Sequence, residues 1–137
     1  MDAAVDAKLR ERFGRDVVVT LATVCDGAPR ARYVNACYAD GSFYVITHAR
    51  SAKFEQLMRD PRVAIAGEWL QALGVAEDLG PFAAERNAAT AARLRQVFAE
   101  WIDNGHNDLA SPETRILRIR LTGGTLFWRG ARCDLGA

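Results

Sequence analysis

Two Asp-Gly dipeptides, Asp26-Gly27 and Asp40-Gly41, cut the first third of the chain into short runs rich in β-branched and aromatic residues. Asp-Gly supplies two adjacent residues that tolerate positive φ, which the two-residue turn between twisted antiparallel strands requires. Residues 17–24 (VVVTLATV) are apolar at successive positions, the pattern of a strand covered on both faces and central in its sheet. Residues 30–39 and 43–47 follow as strands, and Asp40-Gly41 between them is the clearest hairpin signal in the chain.

The rest of the chain keeps the same rhythm. Residues 2–13 form a short helix with Val5, Leu9 and Phe13 on one face and Gly14 as its stop. Ser51 caps a second helix, buried through Phe54, Leu57 and Met58 and ended by Asp60-Pro61. Strands are expected at 63–67 and within 71–77. After Gly80-Pro81 the spacing predicts the longest helix, to about residue 102, with Ala91, Leu94, Val97, Phe98, Trp101 and Ile102 on one face. Asn104-Gly105 stops it. Leu117, Ile119 and Leu121 alternate with Arg118 and Arg120 as a strand, and Gly123-Gly124 is read as the turn into a last strand ending near Trp128. About seven short strands joined by hairpin-like turns imply a mainly β domain, an antiparallel barrel with appended helices. A chain of 137 residues has room for one such domain, with a helical insertion at about 81–105.

Composition removes several function classes. The formal net charge is +1 with no basic or acidic block, so nothing favours nucleic acid or an anionic membrane surface. No apolar run approaches the roughly 20 residues of a membrane span, and the charged start lacks the apolar stretch of a signal peptide. Cys25, Cys37 and Cys133 form no CxxC pair, which argues against a zinc site or a disulfide framework; no metal is expected. The expectation is a reduced, cytoplasmic protein.

Of eighteen basic residues only Lys8 and Lys53 are lysine, so a lysine in the body of the fold is informative. Lys53 falls in the first turn of its helix, the wrong end for a cation because the helix N-terminus already carries partial positive charge and free N–H donors. If Asp40-Gly41 is the loop, the register pairs Ala39 with Ser42 and, further out, Val34 with Thr47, Tyr33 with His48 and Arg32 with Ala49. Arg32, Thr47, Ser51 and Lys53 then converge from three elements. A phosphate there satisfies the amides, both hydroxyls and both cations at once. On these residues alone, solvent-facing cations beside an ordinary cap remain an equal alternative.

The stretch 17–69 resembles the pyridoxamine 5'-phosphate oxidase-related family of FMN-binding split barrels. The resemblance lies in TVCDGAPR, in the Arg-led strand RYVNACY, in FYVITHARSAK, and in a helix ended by Asp60-Pro61-Arg62-Val63. The segment T-x-x-x-S-x-K from Thr47 to Lys53, with Pro61 eight residues on, is specific in combination. ALGVAEDLG (72–80) and ILRIRLTGGTLFW (116–128) are similar to later strands of such barrels. The resemblance implies a six- to seven-stranded antiparallel split β-barrel, a homodimer, and FMN at the interface. It places Arg32, Ser51 and Lys53 on the phosphate, Arg32, Tyr33, Val34 and Asn35 along the isoalloxazine and ribityl portions, and Ile46, Thr47 and His48 in the cradle. Cys37 stands near the position where true vitamin B6 oxidases end this strand in Lys, and Ala52 stands where they often carry Arg. Residues 81–112 match no part of the family pattern. These departures count against a B6 substrate and leave the flavin intact.

Two function classes follow. One is an oxidoreductase passing electrons between a nicotinamide or other donor and a small organic acceptor, with F420 as a variant cofactor. The other is a non-catalytic module that binds or senses flavin or haem. No side chain stands out as a general acid or base, which suits chemistry done by a cofactor. His48 is read as near the cofactor without acting on it, His106 as a surface-loop residue, and Cys37 as a small buried hydrophobe.

Overall fold

The computed structural model describes residues 1–136, with α1 (Ala3–Phe13) first in chain order, followed by β1 (Val17–Cys25), β2 (Ala28–Ala39) and β3 (Ser42–His48). Next come α2 (Ala52–Arg59), β4 (Arg62–Gly67), β5 (Leu70–Pro81), α3 (Ala88–Val97), β6 (Thr114–Trp128) and β7 (Ala131–Asp134). The sheet order is β3-β2-β1-β4-β5-β6-β7, and β3 also pairs with β6. That second pairing closes six antiparallel strands into a barrel and leaves β7 as an extra strand on β6. Closure reduces the exposed edge of the sheet, although β2 meets β3 only over Cys37–Ala39.

Two-residue loops build much of this. Asp26-Gly27 (φ 52° and 78°) joins Cys25 to Ala28, and Asp40-Gly41 (φ 49° and 84°) joins Ala39 to Ser42, both with the paired positive φ that their composition predicts. Arg129-Gly130 (φ 50° and 82°) makes a third such turn, into β7.

Gly123-Gly124 does not turn the chain. β6 runs unbroken from Thr114 to Trp128, and its register against β5 shifts between Leu73↔Gly123 and Gly74↔Leu121, so Thr122 is the extra residue of a bulge. Gly124 has φ 127°, and a Cβ there would lie 2.1 Å from the Gln71 carbonyl oxygen. Gly124 thus serves close strand approach rather than reversal. The helix read over 81–102 is also shorter. β5 continues through Pro81, which pairs with Arg115, and Phe82 N–H bonds the Thr114 carbonyl. A 3-10 turn (Glu85–Asn87) then leads into α3. Beyond Val97 the chain proceeds in turns, which still bury Phe98 and Ile102.

The barrel interior is filled by alternate residues of the strands, among them Val19, Leu21, Val34, Ile65, Ile119 and Leu126. Leu9 and Phe13 of α1 and Phe54 and Leu57 of α2 pack into the same core. Cys37, Phe82, Leu94, Phe98, Ile102 and Ile116 make a second cluster, in which the α3 segment covers the outside of β3 and β6. Tyr38 is fully buried; its hydroxyl donates to Asp6 at 2.6 Å and accepts Gly41 N–H, tying α1 to the β2–β3 hairpin.

Candidate functional site

The start of α2 is the first component. Ser51 sits at the N-cap with extended backbone, and its hydroxyl accepts Phe54 N–H at 3.2 Å. Its carbonyl takes Glu55 N–H. Thr47 Oγ1, at the end of β3, lies 3.1 Å from Ser51 Oγ. The amides of Ala52 and Lys53 keep no intramolecular acceptor among the described residues, as expected for a first helical turn.

Arg32 reaches this point by a different route from the one its hairpin suggests. β2 and β3 pair only from Cys37↔Tyr44 to Ala39↔Ser42. Further out β3 leaves β2 and pairs with β6 along its whole length, so the expected pairings of Val34, Tyr33 and Arg32 with Thr47, His48 and Ala49 do not form. Arg32 instead lies opposite Leu21 of β1. Its guanidinium donates to the Leu21 carbonyl (3.2 Å), Thr23 Oγ1 (2.8 Å) and Gln56 Oε1 (2.9 Å). The Thr23 hydroxyl donates to the same Gln56 oxygen at 2.6 Å. Gln56 belongs to α2, one turn beyond Lys53, so the network delivers Arg32 to the helix.

Electrostatics mark the spot. Burial pushes the Lys53 ammonium below its ordinary pKa, and the nearby Arg32 charge pushes it further. Burial likewise lowers Arg32. Among the described residues neither cation has a carboxylate within 4.0 Å; all the ion pairs belong to other side chains. Two partly buried, mutually repelling cations thus stand at α2, Lys53 in its first turn beside unpartnered amides and Arg32 held by Gln56 in the next. A dianion is the chemical species that relieves all of them.

Of the other predicted residues, His48 touches this centre through its backbone carbonyl, which accepts Ser51 N–H, and the rest face elsewhere. Tyr33 points outward and is 80% exposed, while Val34 faces the barrel core. Asn35 donates to Asp16 at 3.0 Å. Ile46 packs in the outer cluster under α3. His48 Nδ1 accepts Arg50 N–H, and Nε2 faces Glu113 Oε2 at 3.3 Å. Both histidines line a polar cavity of about 380 Å³ with Asp108, Ser111 and Glu113. Thr23 and Gln56 escaped the sequence reading. Their signal was a polar residue at an inward position of β1 and another beside the buried Phe54 and Leu57 of α2. Cys37 is buried, which pushes its thiol pKa up, and Trp101 donates to Asp16 at 2.9 Å.

A second feature adjoins the site. On the outer face of the barrel one cross-strand row runs Tyr33, Thr20, Ala66, Gln71, Thr125, and the next runs Ala31, Ala22, Ala64, Leu73. Small side chains leave a groove of about 420 Å³ there. Val18, Tyr33, Trp69, Leu73 and Phe127, five of the seven exposed large hydrophobics, lie on this one face. Trp69 is 71% exposed and holds a left-handed backbone (φ 55°) at the β4–β5 turn.

A family model described as pyridoxamine 5'-phosphate oxidase matches residues 5–127. The chain belongs to this family. Solved structures share the family's barrel at low identity. A FAD-binding protein of Mesorhizobium loti is 20% identical, with TM-score 0.66 over 88% of this chain and 90% of that one. An F420 reductase is 20% identical, with TM-score 0.63 over 82% and 92%. A heme-binding protein of Mycobacterium smegmatis is 19% identical, with TM-score 0.72 over 99% of this chain and 58% of its own. No curated protein matches in sequence. Among the described residues no three His, Cys, Asp or Glu side chains gather as a metal site, and no helix is long and apolar enough to cross a membrane.

Proposed function

We propose that this member of the pyridoxamine 5'-phosphate oxidase family binds FMN and serves as an oxidoreductase toward a small organic acceptor, working as a homodimer. One observation carries the reading: Arg32 and Lys53 converge without a carboxylate at the N-terminus of α2. The residues fit the group. Lys53 and Arg32 supply charge-assisted contacts to a phosphate, the Ala52 and Lys53 amides supply neutral donors, and Thr47 and Ser51 supply hydroxyls. Their mutual repulsion means that binding relieves an existing cost instead of breaking ion pairs first.

FMN, when bound, supplies the electron- and hydride-transfer chemistry. The chain's own part is to hold the phosphate, to offer the apolar outer face beside Tyr33 and Thr20 to the ring system, and to exclude water from it. One chain leaves that face open. A second copy laid on it both covers Leu73, Trp69 and Phe127 and completes the pocket.

The visible spectrum of the purified protein tests the cofactor. Oxidised flavin bands are expected, bleached by NADH or NADPH and restored by air or an acceptor. A Soret band or a deazaflavin band alone overturns the FMN assignment, and flavin that no reductant touches overturns the oxidoreductase.

A further inference from the structure

We infer that Gln56, together with Thr23, is the positioning residue through which Arg32 distinguishes a phosphorylated flavin from an unphosphorylated one; the inference rests on the FMN reading above. An arginine on a strand near the mouth of a barrel has many rotamers, and fixing one costs entropy. Here three acceptors fix it: the Leu21 carbonyl, Thr23 Oγ1 and Gln56 Oε1. Thr23 is almost fully buried and donates its own proton to Gln56 Oε1 at 2.6 Å, so the amide oxygen is itself held. All three acceptors are neutral. A carboxylate at position 56 could accept the same two hydrogen bonds but would cancel the guanidinium charge, and with it the field that reaches Lys53. Gln56 therefore orients the cation while leaving its charge for the ligand. Because Gln56 and Lys53 share the short α2, the same contact also sets the spacing between the two cations.

Paired titrations with FMN and with riboflavin, which lacks the phosphate, isolate this role. Wild type should bind FMN about ten- to a hundredfold more tightly than riboflavin. Gln56→Met keeps the side-chain volume and removes the acceptor; it should cut the FMN-to-riboflavin ratio by about fivefold or more, with riboflavin affinity little changed. In an Arg32→Met background the same substitution should leave the ratio unchanged, because a residue acting through Arg32 has nothing left to position. Gln56→Glu, which retains the hydrogen-bond geometry, should keep the thermal stability of wild type and still lose the ratio, and it serves if the Met variant does not fold. An unchanged ratio in the Gln56 variants, or an equal loss with and without Arg32, overturns the inference while leaving the FMN site standing. A wild type that binds the two ligands equally overturns the site itself.

Discussion

Lys53 carries its charge where the end of its own helix already repels one, so removing it should separate binding from folding. In Lys53→Met/Ser51→Ala the lost cap costs about 1 kcal/mol, partly offset by relief of the charge–dipole repulsion. FMN affinity should fall about ten- to a hundredfold, the loss of a charge-assisted phosphate contact. Undiminished affinity by fluorescence titration places the phosphate elsewhere. The lowered pKa of Lys53 also gives the site a pH dependence. Burial and Arg32 disfavour the protonated amine in the free protein, whereas a bound dianion favours it. Binding thus takes up a proton in the window between the two pKa values. Affinity should be level from above the phosphate's second pKa, about 6, and decline as pH rises through the depressed Lys53 pKa, and Lys53→Arg should move that decline to higher pH. The stability of the empty protein runs the opposite way. The group is less basic folded than unfolded, so folding gains as pH rises through the depressed value. A flat affinity profile in wild type would count against Lys53 as the phosphate ligand.

At the scale of elements, the informative piece is β6, which pairs with β3, β5 and β7. It carries the Thr122 bulge against β5, and Gly124 packs tightly against the Gln71 backbone. Alanine at 124 faces both a positive φ and a 2.1 Å approach to a backbone oxygen that cannot rotate away. Gly124→Ala should destabilise by at least about 2 kcal/mol in urea unfolding. Gly123→Ala, with nothing within 4 Å of the new methyl, should change stability by about 0.5 kcal/mol or less. Equal effects at the two positions would remove the close approach at Gly124 as a determinant of stability. α3 illustrates the complementary case: its apolar residues are buried whether the chain is helical, as at Leu94, or in turns, as at Phe98 and Ile102. A 3.6-residue apolar spacing records which side chains face the core, and the backbone can meet that demand in more than one way.

For the whole molecule, the exposed apolar face and the cation site make a joint prediction about assembly. Leu73, 59% exposed in one chain, would lie in the proposed interface, so Leu73→Glu should place an unpaired charge there. Wild type should sediment as a dimer at micromolar concentration, and the variant as a monomer with weakened FMN binding. A wild-type monomer that retains flavin would overturn the homodimer. Membership of the family does not by itself assign its namesake substrate. Pyridoxamine phosphate brings a second phosphate and needs a second cationic pocket. Arg118 is tied to Glu77, Arg132 to Asp134, and Arg129 lies over the Trp128 ring. The fully FMN-loaded protein should therefore form no detectable pyridoxal phosphate from pyridoxamine phosphate and oxygen. Turnover near the median enzyme rate of about 10 per second would refute this.

What the sequence determined by itself was local. The Asp-Gly turns are encoded by residues that accept positive φ, and they set the register of the residues next to them. The Ser51 cap and the misplaced charge of Lys53 are encoded within one helical turn. Those signals suffice for a mainly β domain with a candidate anion site at the start of α2. The tertiary structure decided everything that depends on contacts between distant segments. β3 pairs with β6 along its whole length but with β2 only next to the turn, and Arg32 reaches α2 by way of Leu21, Thr23 and Gln56 instead of along its own hairpin. Gly-Gly reads as a turn in the sequence, but β6 runs on through it, with Thr122 bulged and Gly124 packed against the Gln71 carbonyl, contacts between segments distant in the chain. The outer face shows why strand patterning was insufficient. Val18 and Ala22 belong to the run read as covered on both faces, yet on a single chain Val18 is exposed and Ala22 lines the outer groove.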